Sequence, residues 1–568
     1  MTTLLRPNPA GLSRWVAAAL LGLAPALVRA DTSSCETLYQ PGDPALFKFV
    51  ETRKALDYQQ YAGRPIRNID YQVLPVFNEN NPNEDNWVYR SLNVLHIDTR
   101  HSTLKQQMIV QSGEALDPSR IRENERLLRR REYLIDAMIV PTQVCDDGID
   151  LLVVVRDVWT FYPRTSASRS GGENSVGAGV TELNLLGTGQ NLSLRYSKDD
   201  ERSGYGVSYR VPELFLPHLA LGLDYYDNSD GQLVSGSLAK PFFELDSRWA
   251  AGMYYTQTQL DQTVDRNDKV INRYQQESLF QEVFGGWSTG RRDGVVHRWK
   301  VGYTEDRNEF SAADRDPSMP PSDVTLRYPW ASWQFLEDRY WTTSNISRSH
   351  RQEDILLGLQ SNLKLGYSDT GLGASRNAVV YNAFASHTAS AGDHHLLRSS
   401  VDVSGHYDTD DHTAQETLYG IAFRYYNFID NRNRWYARVH FRGTHNARDD
   451  QLLSGGGNET LRGYPTDIQR GNRQWLLTVE RRHFTNIHLF NLAWLGGAAY
   501  VDTGRTWDSK TDSPDADNRV LTNVGLGLRF SPSKFRVDRV GHVDIAWPMN
   551  EGDNIENYQI ILRGSVDF

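Results

Sequence analysis

The chain has 568 residues, 39% of them hydrophobic, and 71 acidic against 61 basic side chains give a net charge of −10. That acidic balance argues against a nucleic-acid partner, because the surface would repel phosphate. Mean hydropathy is −0.56, and charges interrupt every apolar run after residue 30, which excludes a bundle of membrane-spanning helices. A closed membrane barrel stays open, since alternate residues of each strand face its lumen, as does a soluble all-β protein.

The first 30 residues read as a secretory signal: Arg6 and Arg14 supply the positive region, Trp15 to Leu27 the apolar stretch, and Val28-Arg29-Ala30 a cleavage site. Removing Arg6, Arg14 and Arg29 takes the charge from −10 to −13. Cys35 has no leucine three residues before it, which argues against a lipoprotein site. The two cysteines, Cys35 and Cys145, both precede the barrel. In an oxidising compartment they form one disulfide or remain two unpaired thiols, and the compartment favours the disulfide. Residues 31–61 form an N-terminal extension with a helix expected around Ala45 to Tyr61. It packs on the next domain or enters the barrel, and the sequence does not choose.

Residues 62–157 read as a small α/β domain. Pro65 to Phe77 is a strand candidate, and a first helical region falls between Trp87 and Val110. Asp117-Pro118 pairs an N-cap with a first-turn proline and starts a helix to about Arg131. Leu134 to Val140 and Ile149 to Val155 are strands joined across Asp146-Asp147-Gly148, a strong hairpin signal. The order β-α-α-β-β, with SGEALDPSRIRENERLLRRREYLIDAMI at 112–139, resembles a POTRA domain. The resemblance implies a periplasmic domain that offers a strand edge to an extended client. The basic cluster Arg126, Arg129, Arg130 and Arg131 reads first as a solvated helix face.

From residue 158 onward the period is two. Leu192, Leu194 and Tyr196 alternate with polar residues, as do Tyr205, Val207, Tyr209 and Val211. Such alternation over many short segments fits a transmembrane antiparallel β-barrel from 158 to 568. Five strands follow residue 473: Gln474 to Phe484, Ala493 to Asp502, Leu521 to Phe530, Gly541 to Trp547 and Tyr558 to Phe568. Before it the count lies between eleven and fifteen, because Tyr274 to Leu365 divides poorly. In the last strand Tyr558, Ile560, Leu562, Gly564, Val566 and Phe568 share one face, with Ile561 the single apolar residue on the other. An alternating strand ending on phenylalanine resembles the signal by which outer-membrane barrels are recognised for insertion.

Between these strands lies SGGGNETLRGYP, at 454–465, followed by YVDTG at 500–504. The glycine-rich run ending in Leu-Arg-Gly-Tyr resembles the inward-folded loop of the outer-membrane superfamily that contains the BamA and TamA insertases and the FhaC-like transporters. That resemblance implies sixteen strands, though the sequence allows 18 or 20. It also implies that loop 443–473 folds into the lumen. There Arg462, with Gly463 and Tyr464 beside it, meets Glu480 on the next strand and Asp502 on the one after, next to Tyr500 and Gly504. Arginine suits this position because its planar fork bonds two carboxylates at once.

The function implied is insertion of client polypeptides into the outer membrane, or their transport across it, with no cofactor or metal. The partners implied are outer-membrane lipid and lipopolysaccharide, unfolded clients and other envelope assembly proteins, with the client passing through the lumen or at the seam between about Phe161 to Ser170 and Tyr558 to Phe568. Two alternatives stand beside it: a two-partner secretion transporter for a large secreted client, and a passive pore or surface barrel. An enzyme is not expected. GWSTG at 286–290 fits G-x-S-x-G, but no helix follows the serine. Asp393-His394-His395 lacks a further ligand at metal spacing.

Overall fold

The computed structural model describes residues 35–43, 46–47, 56–170, 173–199, 202–266, 269–509, 519–535, 539–552 and 554–565. The expected signal at 1–30, most of the helix expected near Ala45 to Tyr61, and Val566 and Phe568 lie outside them.

The N-terminal unit is a four-stranded sheet in the order Cys35–Thr37, Leu134–Cys145, Gly148–Asp157, Ile66–Leu74. Its central strand Gly148–Asp157 is buried along its whole length, as the Leu-Leu-Val-Val-Val run requires of a strand covered on both faces. The first helical region resolves into two helices, Trp87–Leu95 and His101–Gln106. The third helix is Pro118–Arg129, capped by the Asp117 side chain on the Ser119 N–H. Ile121 and Leu128 of this helix are fully buried in one core with Ile139, Leu151 and Val153. Cys35 and Cys145 face each other in the outermost strand pair and are disulfide-bonded, with Cα atoms 4.1 Å apart. On the opposite edge, Ile66–Leu74 pairs in parallel with the central strand and has no second strand neighbour among the described residues.

The rest of the chain closes into one barrel of 20 strands. Sixteen strands, the number drawn from the resemblance, is therefore wrong. The five strands after the loop are present, from Arg473–Leu489 to Gln559–Ser565, and fifteen precede it. The fifteen strands before the loop stand at the upper end of the eleven to fifteen counted from the sequence, so the error lies in the number carried over from the resemblance. The hard stretch, Tyr274 to Leu365, overlaps the long strands Lys269–Arg292 and Val295–Ala312, joined at Asp293-Gly294. The same stretch hides a short hairpin, Tyr340–Ser344 with Gln352–Leu356, that is not part of the barrel wall. GWSTG lies in the strand Lys269–Arg292, where Ser288 Oγ donates to the His297 carbonyl at 3.0 Å.

Alternate wall residues point out. Trp249, Met253, Val283, Trp287, Val301, Phe423, Phe441 and Leu526 are all exposed large apolar side chains. No soluble surface carries so continuous an apolar belt. Between the last two strands seven residue pairs are in register, from Val540 with Ser565 to Ala546 with Gln559. At the closing seam the registered pair among the described residues is Leu562 with Arg169.

The N-terminal unit sits against one end of the barrel. Arg129 bonds both oxygens of Asp354 on the short hairpin at 3.0 Å each, and Glu123 accepts from the Leu245 N–H at 2.7 Å and pairs with Arg291. Arg126 stacks over Tyr340 at 4.0 Å, and Lys534 reaches Glu84 at 2.8 Å. Arg126 and Arg129 of the basic cluster are thus contact residues rather than solvated ones. The short hairpin itself folds into the mouth of the barrel. Its Ile346 is buried with the inward-facing Leu396, Tyr426, Phe428 and Tyr436.

Candidate functional site

The segment between strands Asn433–His445 and Arg473–Leu489 enters the lumen from the end opposite the N-terminal unit. A two-stranded hairpin, Leu453–Gly455 with Gln469–Gly471, forms its neck. Beyond it the backbone turns sharply at Gly456 and Gly457, whose φ angles of +108° and +70° suit glycine. Leu461, Tyr464 and Ile468 are then buried against Leu476 and Leu521 of the wall, so the loop tip has a small apolar core of its own. Tyr464, fully buried, donates its hydroxyl to the Thr522 carbonyl at 2.6 Å and lies 2.7 Å from Asn550 Oδ1.

That anchoring leaves Arg462 aimed at two strands. Its Nε and Nη2 bond the two oxygens of Asp502 at 2.8 Å each, and its Nη1 meets Glu480 at 2.8 Å. The guanidinium lies over the Tyr500 ring at 3.3 Å, where a cation on the ring face is attracted by the aromatic quadrupole. Tyr500 in turn covers Gly525, its direct cross-strand partner. Gly463 leaves room for this approach, since a Cβ there would come within 2.6 Å of the Asn523 Cβ. Gly504 lies two residues beyond Asp502 on the same strand, paired with Leu476 of the Glu480 strand.

Strand parity brings the acids inward: Thr478, Glu480, Tyr500 and Asp502 are buried, while Val501 is 40% exposed on the outer wall. Three further groups complete the cluster. Thr478 Oγ1 and Asn523 Nδ2 donate to Asp502 at 2.9 and 3.0 Å, and Arg482 Nε donates to Glu480 at 2.8 Å. Arg482 was within reach of the sequence, being two residues from Glu480 on the same face. Asn523 was not, because only barrel register sets it opposite Asp502.

The last strand also touches the loop, through Arg563 Nη1 donating to the Asn458 carbonyl at 3.0 Å. On that strand, Gln559–Ser565, Ile560 is exposed, Leu562 half-buried and Gly564 exposed, and Tyr558 just before it is exposed. Ile561, the apolar residue on the inner face, packs with Tyr500 and Ala546 beside the arginine cluster. The arrangement offers no nucleophile with an activating base. It is a charge clasp that holds a loop inside a lumen and joins it to the closing strand.

An apolar-jacketed, closed antiparallel barrel with a charged interior defines an outer-membrane β-barrel protein. The Omp85 superfamily domain matches residues 184–568. The chain belongs to the Omp85 superfamily. No curated protein matches it. Among solved structures it is similar to BamA from Haemophilus ducreyi lacking POTRA domains 1-3, at 14% identity and a TM-score of 0.37, covering 88% of this chain and 84% of that one. It is also similar to CdiB from Acinetobacter baumannii, at 13% identity and a TM-score of 0.43, over 91% and 79% of the two chains. CdiB from Escherichia coli gives 12% identity and a TM-score of 0.47 over 90% and 79%.

Proposed function

We propose that this protein inserts client polypeptides into the outer membrane or passes them across it, with its N-terminal unit acting as a single POTRA domain in the periplasm. The observation that carries this reading is the link from loop to seam. Arg462 clasps Asp502 and Glu480, while Arg563 of the closing strand holds the same loop at Asn458. A loop bonded to the closing strand couples the state of the lumen to the state of the seam. The seam joins the first and last strands, where Leu562 is in register with Arg169, so parting it opens the wall without breaking a hairpin. The edge of Ile66–Leu74 beyond Ile66, which itself bonds Gly113 and Glu114, supplies the docking step, because a strand edge with no strand neighbour accepts an extended segment of any sequence. Outer-membrane lipid and lipopolysaccharide surround the barrel, and unfolded polypeptide is the client.

The test is a seam lock. Arg169→Cys with Leu562→Cys, the native Cys35–Cys145 disulfide being kept and wild type treated with the same reductant as the control, places two thiols directly opposite each other. In lipid vesicles, the oxidised form should fail to protect a urea-unfolded outer-membrane barrel from protease, and reductant should restore protection. Equal protection in the locked and reduced states would refute the seam mechanism. Absence of protection by the unlocked protein would refute the function.

A further inference from the structure

The inner wall carries a row of arginines that the loop clasp does not use. Arg398 faces Arg424 across one strand pair, and Arg424 faces Arg438 across the next. All three share the inward face with Leu396, Tyr426 and Tyr436, while Leu397, Phe423 and Trp435 point out. Neighbouring strands lie about 4.8 Å apart, so three guanidinium-bearing side chains start within about 10 Å of one another. Like charges directly opposite on paired strands are destabilising.

Their neutralisation differs from that of the inward arginines nearby. Arg462, Arg482 and Arg529 each bond a carboxylate. Among the described residues Arg398, Arg424 and Arg438 form no ion pair. Arg398 Nε reaches only Ser386 Oγ, at 3.3 Å, and Arg438 Nε is buried without a hydrogen-bond partner. The closest inward acids serve other bases. Glu480, two residues along from Thr478, the cross-strand partner of Arg438, bonds Arg462 and Arg482, and Glu459 of the loop is 3.9 Å from Arg563, while Asp402 lies four residues from Arg398. Arg398 and Arg424, but not Arg438, line a cavity of about 730 Å³ between the wall, the short hairpin and the helix Pro118–Arg129, with Arg126, Arg130 and Arg298. Of the three acids that also line it, Glu123 is paired with Arg291 and Asp354 with Arg129, and Glu244 is the third. Arg298 is 8% exposed, its Nη2 donating to the Glu244 carbonyl at 2.8 Å and its Nε having no partner.

We infer that this row and cavity form a binding site for a multivalent phosphate, of the diphosphate class. Each guanidinium brings five N–H donors. A single carboxylate has two oxygens and cannot occupy three such forks, whereas a diphosphate carries more acceptor oxygens and more negative charge, and the long arginine side chains can converge on it. The outer wall residues Leu397, Phe423 and Trp435 separate the row from lipid, so the ligand reaches it from water and not as a lipid headgroup.

The full-length protein in phosphatidylcholine vesicles provides the test, read as the temperature at which the compact barrel band is lost on gels. Inorganic pyrophosphate, against chloride at matched ionic strength, should raise that midpoint by a few degrees. Arg398→Gln/Arg424→Gln/Arg438→Gln should melt higher than wild type without anion, because the repulsion is gone, and should not respond to pyrophosphate. Arg424→Gln, at the centre of the row, should lose most of the response alone, and Arg424→Lys should retain part of it. A wild type indifferent to pyrophosphate, or variants that respond as wild type does, would overturn the site. Vesicles containing phosphatidic acid, without pyrophosphate, should leave the midpoint unchanged. A shift there alone would assign the row to a lipid headgroup and overturn the soluble ligand.

Discussion

Replacing Arg462 with alanine leaves Asp502 and Glu480 facing one another in the lumen without their shared cation. Arg462 is 4% exposed, and removing one partner of a buried pair costs about 3–5 kcal/mol. The lower end applies, because Glu480 keeps Arg482 at 2.8 Å and Asp502 keeps Thr478 and Asn523 at 2.9 and 3.0 Å. A loss of about 3 kcal/mol is roughly a 100-fold shift from the inward toward the released loop. The barrel should still fold, since its ladder of backbone hydrogen bonds does not depend on one loop. The variant should therefore keep its heat-dependent gel migration while trypsin gains access to the loop at Arg470. Single-channel conductance should become larger or noisier, and client insertion should fall. Arg462→Lys, which keeps the charge but loses the fork, should be intermediate. Adding Asp502→Asn to Arg462→Ala should recover part of the lost protection, because the uncompensated charge is removed. If Arg462→Ala left trypsin protection and conductance as in wild type, the clasp would not be what holds the loop.

Three shorter predictions concern the N-terminal unit. Cys35 and Cys145 should resist alkylation until reductant is added. Cys35→Ser opens a loop of 110 residues and should lower the stability of this unit by about 4–5 kcal/mol on the chain-entropy account, measured by urea-dependent proteolysis. Asp354→Asn removes the bidentate partner of Arg129 and should raise protease cleavage between the N-terminal unit and the barrel, while barrel migration is unchanged; unaltered cleavage would show that the pair contributes little to docking. Burial, reinforced by the charge of Glu123, pushes Glu244 up to about 7. Its folded value lies above the usual value of about 4.3, so its contribution to docking is complete below that value and is lost as pH rises through about 7. Docking should weaken from about pH 4.5 up to about pH 7 and then level off, and Glu244→Gln should flatten that dependence.

The sequence by itself determined everything that rests on local period and short-range chemistry. The alternation in Leu192 to Tyr196 and Tyr205 to Val211 is a strand pattern whatever its neighbours are. Asp117-Pro118 starts a helix and Asp146-Asp147-Gly148 closes a hairpin for reasons contained within a few residues. Parity alone put Glu480 and Asp502 on the faces they occupy, because side chains alternate strictly along a strand. Tertiary structure decided what depends on closure and register. Twenty strands, where the sequence allowed sixteen to twenty, depend on which of the hairpins between Val176 and Phe428 join the wall, and local alternation does not say that. The hairpin Tyr340–Leu356 lies in the mouth, where Ile346 packs with Tyr426 and Tyr436 and Asp354 pairs with Arg129, contacts that no local pattern states. Arg398, Arg424 and Arg438 look like ordinary lumen residues one strand at a time. Their alignment is a property of register between strands, set by pairing across the closed sheet, and a shift of one residue would turn them out toward lipid.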